Sequence, residues 1–197
     1  MNRLENWFCA SSFWRRITRE QFLPWLLAGV ELGDHVLEIG AGAGAATEEL
    51  RHRAARVTSL EYSRALLAKL VQRDRLDGAA DNINGAALQG DAAALPFPEK
   101  TFSAVIAVLM LHHLRSRAAQ DHAFAESFRV LRPGGVFLAL DIADGWFNRI
   151  LHIRSTFVPL APTELPAQLG AAGFSGVNVT FRSGGFRFTA HRPAESA

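Results

Sequence analysis

Three acids and three glycines in this chain have the types and spacing to hold a nucleoside. Glu38, Gly40, Gly42 and Gly44 stand together in Val36-Leu37-Glu38-Ile39-Gly40-Ala41-Gly42-Ala43-Gly44, Glu61 follows, and Asp91 comes later. Glycine at every second position removes the Cβ atoms that would keep a ligand off the backbone, and a helix beginning near Ala45-Ala46-Thr47-Glu48 offers unpaired N–H groups behind the loop. An acid about 20 residues after such a loop suits the two hydroxyls of a ribose, because one carboxylate accepts both hydrogen bonds. Asp91, in Leu88-Gln89-Gly90-Asp91-Ala92, is placed to accept from an exocyclic amine.

Those residues need elements to position them. The apolar run at 36–39 with its glycine-rich exit reads as a buried strand turning tightly into a helix with apolar spacing through Leu50. Arg56-Val57-Thr58-Ser59-Leu60 reads as a second strand ending in Glu61, and Asp91 closes a third. After Pro96-Phe97-Pro98-Glu99, an apolar run at 104–111 makes a fourth strand, followed by His112-His113-Leu114. Val130-Leu131-Arg132-Pro133-Gly134-Gly135 predicts a helix end and a turn, and Val136 to Asp141 a fifth strand. Pro162-Thr163-Glu164 opens a short helix that tolerates Pro166 in its first turn and stops at Gly173. Stretches 174–182 and 186–192 predict a hairpin through Ser183-Gly184-Gly185. The expected fold is α/β, a Rossmann-like doubly wound, mostly parallel seven-stranded sheet with a C-terminal antiparallel hairpin.

Gly40-x-Gly42-x-x-Ala45 also satisfies the relaxed dinucleotide fingerprint, so the loop and Glu61 fit NAD and adenosine alike. Asp91 is the discriminating position. With it, the ordered motifs between Gly33 and Asp141 resemble the class I S-adenosylmethionine (SAM) dependent methyltransferases. The nearest resemblance is to the small-molecule type (methyltransferase type 11) related to ubiquinone and menaquinone biosynthesis methyltransferases. The resemblance implies SAM as cofactor and S-adenosylhomocysteine as product. It further implies that Glu38, Gly40 and Gly42 line the methionine part, that Ala41 and Gly44 of the same loop also bind the cofactor, and that Glu61 holds the ribose hydroxyls. Tyr62 would flank the adenine, Asp91 accept from its amine, the backbone of Ala92 meet the ring edge, and that of Val108 lie near the methionine ammonium. Two departures stand out. Ser103 replaces the aspartate common before the fourth strand, and Val108-Leu109-Met110-Leu111 replaces the Asn-Pro-Pro-Tyr type motif of amine methyltransferases acting on DNA bases.

Composition agrees with a single methyltransferase domain over 1–197, made of a helical cap at 1–28, a cofactor core at 29–141 and a substrate-side segment with the hairpin at 142–197. Hydrophobic residues make up 49% and charged residues 20%, the balance of a globular chain rather than a disordered one. One cysteine, Cys9, excludes an intramolecular disulfide and a cysteine-type zinc site and suits a reducing cytoplasm. The histidines show no metal-ligand spacing, so no metal is expected. Net charge of +2 with scattered arginines gives no basic stripe for nucleic acid. No run approaches the ~20 apolar residues that span a bilayer.

Substrate choice is expected from two flanking segments. The first, at 1–28, carries Trp7, Phe8, Phe13, Trp14, Phe22 and Trp25 among arginines 3, 15, 16 and 19, with Leu4, Trp7, Phe8 and Ser11 on one helical face. It fits a helix pair packed on the sheet, a roof over the substrate, a dimer surface or a peripheral membrane contact. The second, at 142–161, contains Trp146, Phe147, His152 and Phe157 and lies beyond the carboxyl end of a strand, where open α/β sheets bind ligands. Trp7, Trp14, His112 and Trp146 are the candidate acceptor contacts. Methyl transfer from a sulfonium needs mainly alignment, the attacking atom in line at about 3–3.5 Å. A general base serves only an acceptor whose proton does not leave unaided. His112 is the candidate, expected to face the cleft while His113 packs; a structural role for both is the alternative. The expected activity is methyl transfer to oxygen, carbon or nitrogen of a small molecule. An NAD-dependent oxidoreductase, a non-catalytic SAM-binding protein and a membrane-surface interaction protein are the competing readings.

Overall fold

The computed structural model describes residues 11–76, 85–151, 155–182 and 184–195. Seven strands form one sheet in the order β3-β2-β1-β4-β5-β7-β6. β1 (His35–Ile39), β2 (Arg56–Glu61), β3 (Gly85–Gln89), β4 (Phe102–Val108) and β5 (Leu131–Ile142) run parallel. β7 (Gly185–His191) is antiparallel to β5 and to the edge strand β6 (Ser175–Arg182). The expected doubly wound sheet with a terminal hairpin is the observed fold.

The central strands are apolar on both faces because helices cover both, and their side chains alternate between two cores. Val105 and Ala107 of β4, with Phe137 and Ala139 of β5, point to one side. Ala104 and Ile106, with Val136, Leu138 and Leu140, point to the other. On the first side lie α5 (Arg117–Val130) and α7 (Leu165–Ala171). α5 is capped by Ser116, whose Oγ accepts from the Ala119 N–H, and it buries Gln120, Ala123, Phe124, Ser127 and Val130, a stripe at helical spacing. Fully burying a side chain such as Phe124 stabilises by roughly 1.5–3 kcal/mol.

The second side is covered by α3 (Thr47–Arg53) and by an N-terminal helical run. That run starts at α1 (Ser12–Ile17), passes through a π-helical turn (Thr18–Phe22) and ends in α2 (Leu23–Leu26). Its start departs from the apolar-stripe reading, because Ser11 is the N-cap: its side chain accepts from the Trp14 N–H at 3.1 Å. Leu23 and Leu26 are fully buried, and Arg187 of β7 donates to the carbonyls of Trp25 and Leu26. Leu4, Trp7, Phe8 and Cys9 lie outside the described residues, as do His152 and Arg154.

Gly134-Gly135 differs from expectation. β5 begins directly after α5, and the pairing with β4 jumps from Phe102↔Leu131 to Ala104↔Val136, so the predicted turn is a bulge inside the strand. Gly134 takes φ +79 there, and its N–H is held by the Arg192 carbonyl. Ser103 is structural: its Oγ accepts from the His35 N–H and lies 2.7 Å from the Leu32 carbonyl, tying the entrance of β1 to β4.

Candidate functional site

Strand order reverses between β1 and β4, and at such a switch point the carboxyl ends of neighbouring strands diverge and leave a crevice. A cavity of about 540 Å³ opens there, a size suited to a nucleotide-like ligand. Its wall brings together most of the predicted residues: Glu38, Gly40, Ala41, Gly42, Glu61, Tyr62, Asp91, Ala92 and Val108, with Trp14 from the N-terminal run.

The glycine loop is shaped for close approach. Gly40 takes φ +71, and a Cβ on it would meet the Met110 side chain at 2.6 Å. Gly44 differs from its expected role, since it is not on the cavity wall; it takes φ +80 and packs so tightly on Leu70 and Arg73 that a Cβ has no room. Arg73, from α4 (Arg64–Leu76), donates to the Ala43 and Gly44 carbonyls at 2.7 and 2.6 Å and pins the loop from behind.

Glu61 sits at the end of β2 and accepts from the Gly42 N–H at 2.8 Å and the Ser63 N–H at 2.7 Å. Burial pushes its carboxyl up while those two donors pull it down. A carboxylate has about four acceptor sites, so two remain for a diol. Asp91 accepts from the Ala93 N–H at 2.9 Å, and the loop it begins is clamped from α5. Glu126 accepts from the Leu95 N–H, and Arg129 donates to the Leu95 and Phe97 carbonyls. Tyr62 is exposed, with Arg115 over its ring at 5.5 Å from the centroid.

Glu38 is only 2% exposed, accepting from Thr47 Oγ1 at 2.6 Å and Ser59 Oγ at 2.8 Å. Burial raises its carboxyl above the usual range, against the pull of both hydroxyls. A raised folded-state value means that stability is fully present below the unfolded-state value and lost as pH rises through the folded one. Glu38→Gln, which keeps an oxygen for both hydroxyls, is therefore expected to raise the melting temperature of the ligand-free protein at neutral pH. The gap to the parent should close as pH falls towards about 4, and a gap independent of pH in thermal melts would refute this.

The histidines exchange their expected places. His112 is buried, its Nδ1 2.5 Å from Asp141 Oδ1, and does not line the cavity, whereas His113 does, with Nδ1 3.1 Å from the Thr156 carbonyl. Both belong to a single 3-10 turn (Leu111–His113) and their rings lie against each other, yet only His113 reaches the cavity wall while Asp141 holds His112 behind it. Trp146 also departs from expectation: on α6 (Trp146–Leu151) it is 75% exposed and absent from the cavity wall, sharing an outward i,i+4 face with Ile150. Sequence reasoning gave no site role to Thr18, Met110, Arg115 or Thr156 and expected His113 to pack, yet all five are on the wall. Leu109 is a further signal of a built site: it takes φ +54 beside the cavity, a conformation that costs a non-glycine residue on the order of 1–3 kcal/mol, and the Leu140 carbonyl holds its N–H.

Residues 37–139 match the profile of the methyltransferase domain family. The chain belongs to the SAM-dependent methyltransferases. Among its relatives, the demethylmenaquinone methyltransferase of Tropheryma whipplei is 34% identical over 128 residues, 65% of this chain and 47% of that protein. The ubiquinone/menaquinone biosynthesis C-methyltransferase UbiE of Pseudomonas putida is 35% identical over 135 residues, 66% of this chain and 48% of the relative. This methyltransferase chain thus spans about half the length of the curated relatives it matches. In fold it is similar to a Pyrococcus horikoshii protein, with TM-score 0.78, 17% identity and 94% of each chain covered. It is similar also to the Haemonchus contortus phosphoethanolamine N-methyltransferase 2 solved with SAM, with TM-score 0.72, 14% identity and coverage of 93% and 60%.

Proposed function

We propose that this methyltransferase transfers the methyl group of SAM to oxygen, carbon or nitrogen of a small-molecule acceptor by in-line displacement. The single observation that carries the reading is the cavity at the β1/β4 switch point, which lines up three acids and a glycine cradle from the ends of separate strands. Its residues fit the cofactor: a Cβ at Gly42 would project into open space at the cavity wall, and Glu61 has acceptor capacity for a diol. In this reading Glu61 holds the ribose, Asp91 and the Ala92 backbone read the adenine beside Tyr62, and Glu38, Gly40, Gly42 and Val108 face the methionine end. When bound, the cofactor supplies a methyl group already activated on a sulfonium.

The protein's own contribution is then orientation and exclusion of water. Met110, His113 and Thr156 line the same cavity and favour an acceptor placed between β4 and the 155–160 segment. Position favours His113 over His112 as the proton acceptor for a substrate that needs one. The similarity to quinone C-methyltransferases supports an aromatic or apolar acceptor. No helix among the described residues is long and apolar enough to cross a membrane, and the proposed setting is cytoplasmic.

Calorimetric titration with SAM, S-adenosylhomocysteine, NAD and NADP is the direct test. Binding of the two sulfur nucleotides and neither nicotinamide is expected, followed by methyl transfer in a screen of quinol-like and phenolic acceptors. Binding of NAD alone would overturn the reading, and sulfur-nucleotide binding with no turnover across the screen would favour a non-catalytic SAM-binding protein.

A further inference from the structure

Thr18 is the clearest anomaly in the cavity wall. It is 1% exposed, it lines the cavity, and its Oγ1 has no hydrogen-bond partner among the described residues. A threonine inside a helix ordinarily returns its hydroxyl to the carbonyl three or four residues back, and a buried hydroxyl left unpaired costs roughly 1–3 kcal/mol. It also opens the π-helical turn (Thr18–Phe22), in which the Leu23 N–H reaches back five residues to the Thr18 carbonyl. Such turns are rare and recur at functional sites. An unpaired buried donor and a π-helical turn that begin at the same cavity-wall residue call for a ligand atom.

The position of Thr18 narrows what that atom is. The N-terminal run packs into the apolar core that holds Ala46, Val108 and Leu109, and it stands across a surface groove from Ala45, Glu48 and Glu49. Thr18 therefore belongs to the end of the cavity formed by the glycine loop and the tip of β4. The opposite end holds Tyr62, Asp91 and Ala92. Among the described wall residues the only Arg or Lys is Arg115, and it is engaged with Tyr62 at that opposite end. An anionic group lodged at the glycine-loop end meets no cationic side chain of the described wall, and neutral donors must serve it.

We propose that the Thr18 hydroxyl donates a hydrogen bond to the carboxylate of the cofactor's amino-acid end, and so docks the N-terminal helical run over the filled site. This rests on the proposed function, with Glu38 on the same wall as the partner suited to the ammonium. Thr18 is then a binding residue contributed from outside the cofactor core. Among the described residues nothing satisfies that hydroxyl, and cofactor binding supplies its acceptor.

The test compares the parent protein with Thr18→Val, which is nearly isosteric, and Thr18→Ser, which keeps the hydroxyl. Each is titrated with S-adenosylhomocysteine and with 5′-methylthioadenosine, which lacks the amino-acid end. Thr18→Val is expected to weaken S-adenosylhomocysteine on the order of tenfold or more, the scale of a hydrogen bond to a charged group, and to leave 5′-methylthioadenosine unchanged. Thr18→Ser should bind both as the parent does. Ligand-free Thr18→Val should melt at or above the parent temperature, since it loses an unpaired buried hydroxyl. Unchanged S-adenosylhomocysteine affinity, or equal weakening of both ligands, overturns the proposal. Should Thr18→Val fail to fold, Thr18→Ala is read by the same two titrations. A parent protein that binds neither compound refutes the functional reading itself, which keeps the two failures distinct.

Discussion

Replacing Glu61 by alanine is expected to weaken SAM binding by about a hundredfold, more than any other single change in the cavity. Two losses combine. The direct one is a charge-assisted hydrogen-bonding partner for the ribose, each such bond being worth roughly 1.5–3 kcal/mol. The indirect one is the shape of the loop, because the same carboxylate holds the Gly42 and Ser63 N–H groups at 2.8 and 2.7 Å. Glu61→Gln separates them: it keeps an oxygen for one of those N–H groups and removes the charge, so it should fall between alanine and parent. Calorimetry with S-adenosylhomocysteine reads both variants, and an alanine variant within twofold of the parent would move the ribose elsewhere.

Asp141→Leu should produce the largest change in stability. The Asp141 carboxylate is buried and serves the His112 ring at 2.5 Å, the His112 N–H at 3.3 Å and the Ile142 N–H at 2.7 Å. Leucine leaves the two His112 donors buried, and the half-buried Ile142 N–H, without that partner. Breaking a buried hydrogen-bonded pair from one side costs about 3–5 kcal/mol, which in a chain of this size lowers the melting temperature by roughly 6–20 °C. The damage should reach the cavity, because the His112 ring lies 4.1 Å from that of His113 and 5.6 Å from that of Phe157. The His112 carbonyl also holds the Val158 N–H, so the 155–160 wall hangs from the same turn. Asn at 141 keeps an acceptor and should lose less. Urea unfolding that leaves the leucine variant within 1 kcal/mol of the parent (~1 kcal/mol being the worth of one ordinary hydrogen bond) would show that the carboxylate is not what secures this turn.

What was legible in the sequence is what local chemistry determines. Gly40 and Gly42 sit at positive φ, and Glu61 and Asp91 follow strands; each signal lies within a few residues of its element. The terminal hairpin was legible because Gly184-Gly185 interrupts two alternating runs. The assignments that failed depend on a single residue of rotation or on distant partners. His112 and His113 are adjacent in a short 3-10 turn, and no periodicity says which ring Asp141, 29 positions on, will capture. Trp146 reads as pocket lining from its place after a strand, yet its short helix turns that side outward. Thr18 gives no signal, since a threonine in an amphipathic run is neutral until its hydroxyl is seen buried and without a partner among the described residues. Ser11, on the apolar face by helical spacing, is a helix cap, a role that serine favours.

The sheet order also has a consequence for the chain as it leaves the ribosome. β5, whose 136–140 stretch is buried throughout, waits for β7 as its second neighbour, and β7 is synthesised more than 40 residues later, after α6, α7 and β6. Until then the nascent protein carries an apolar strand with one open edge, the kind of surface that recruits chaperones or a second chain. Only β7 brings Arg187, which ties down the carbonyls of Trp25 and Leu26 at the other end of the sequence. The helical run at the cavity therefore gains that tie only in the last steps of synthesis, and a ribosome stalled before β7 would hold the glycine loop and acids already made beside a run secured by its core leucines alone.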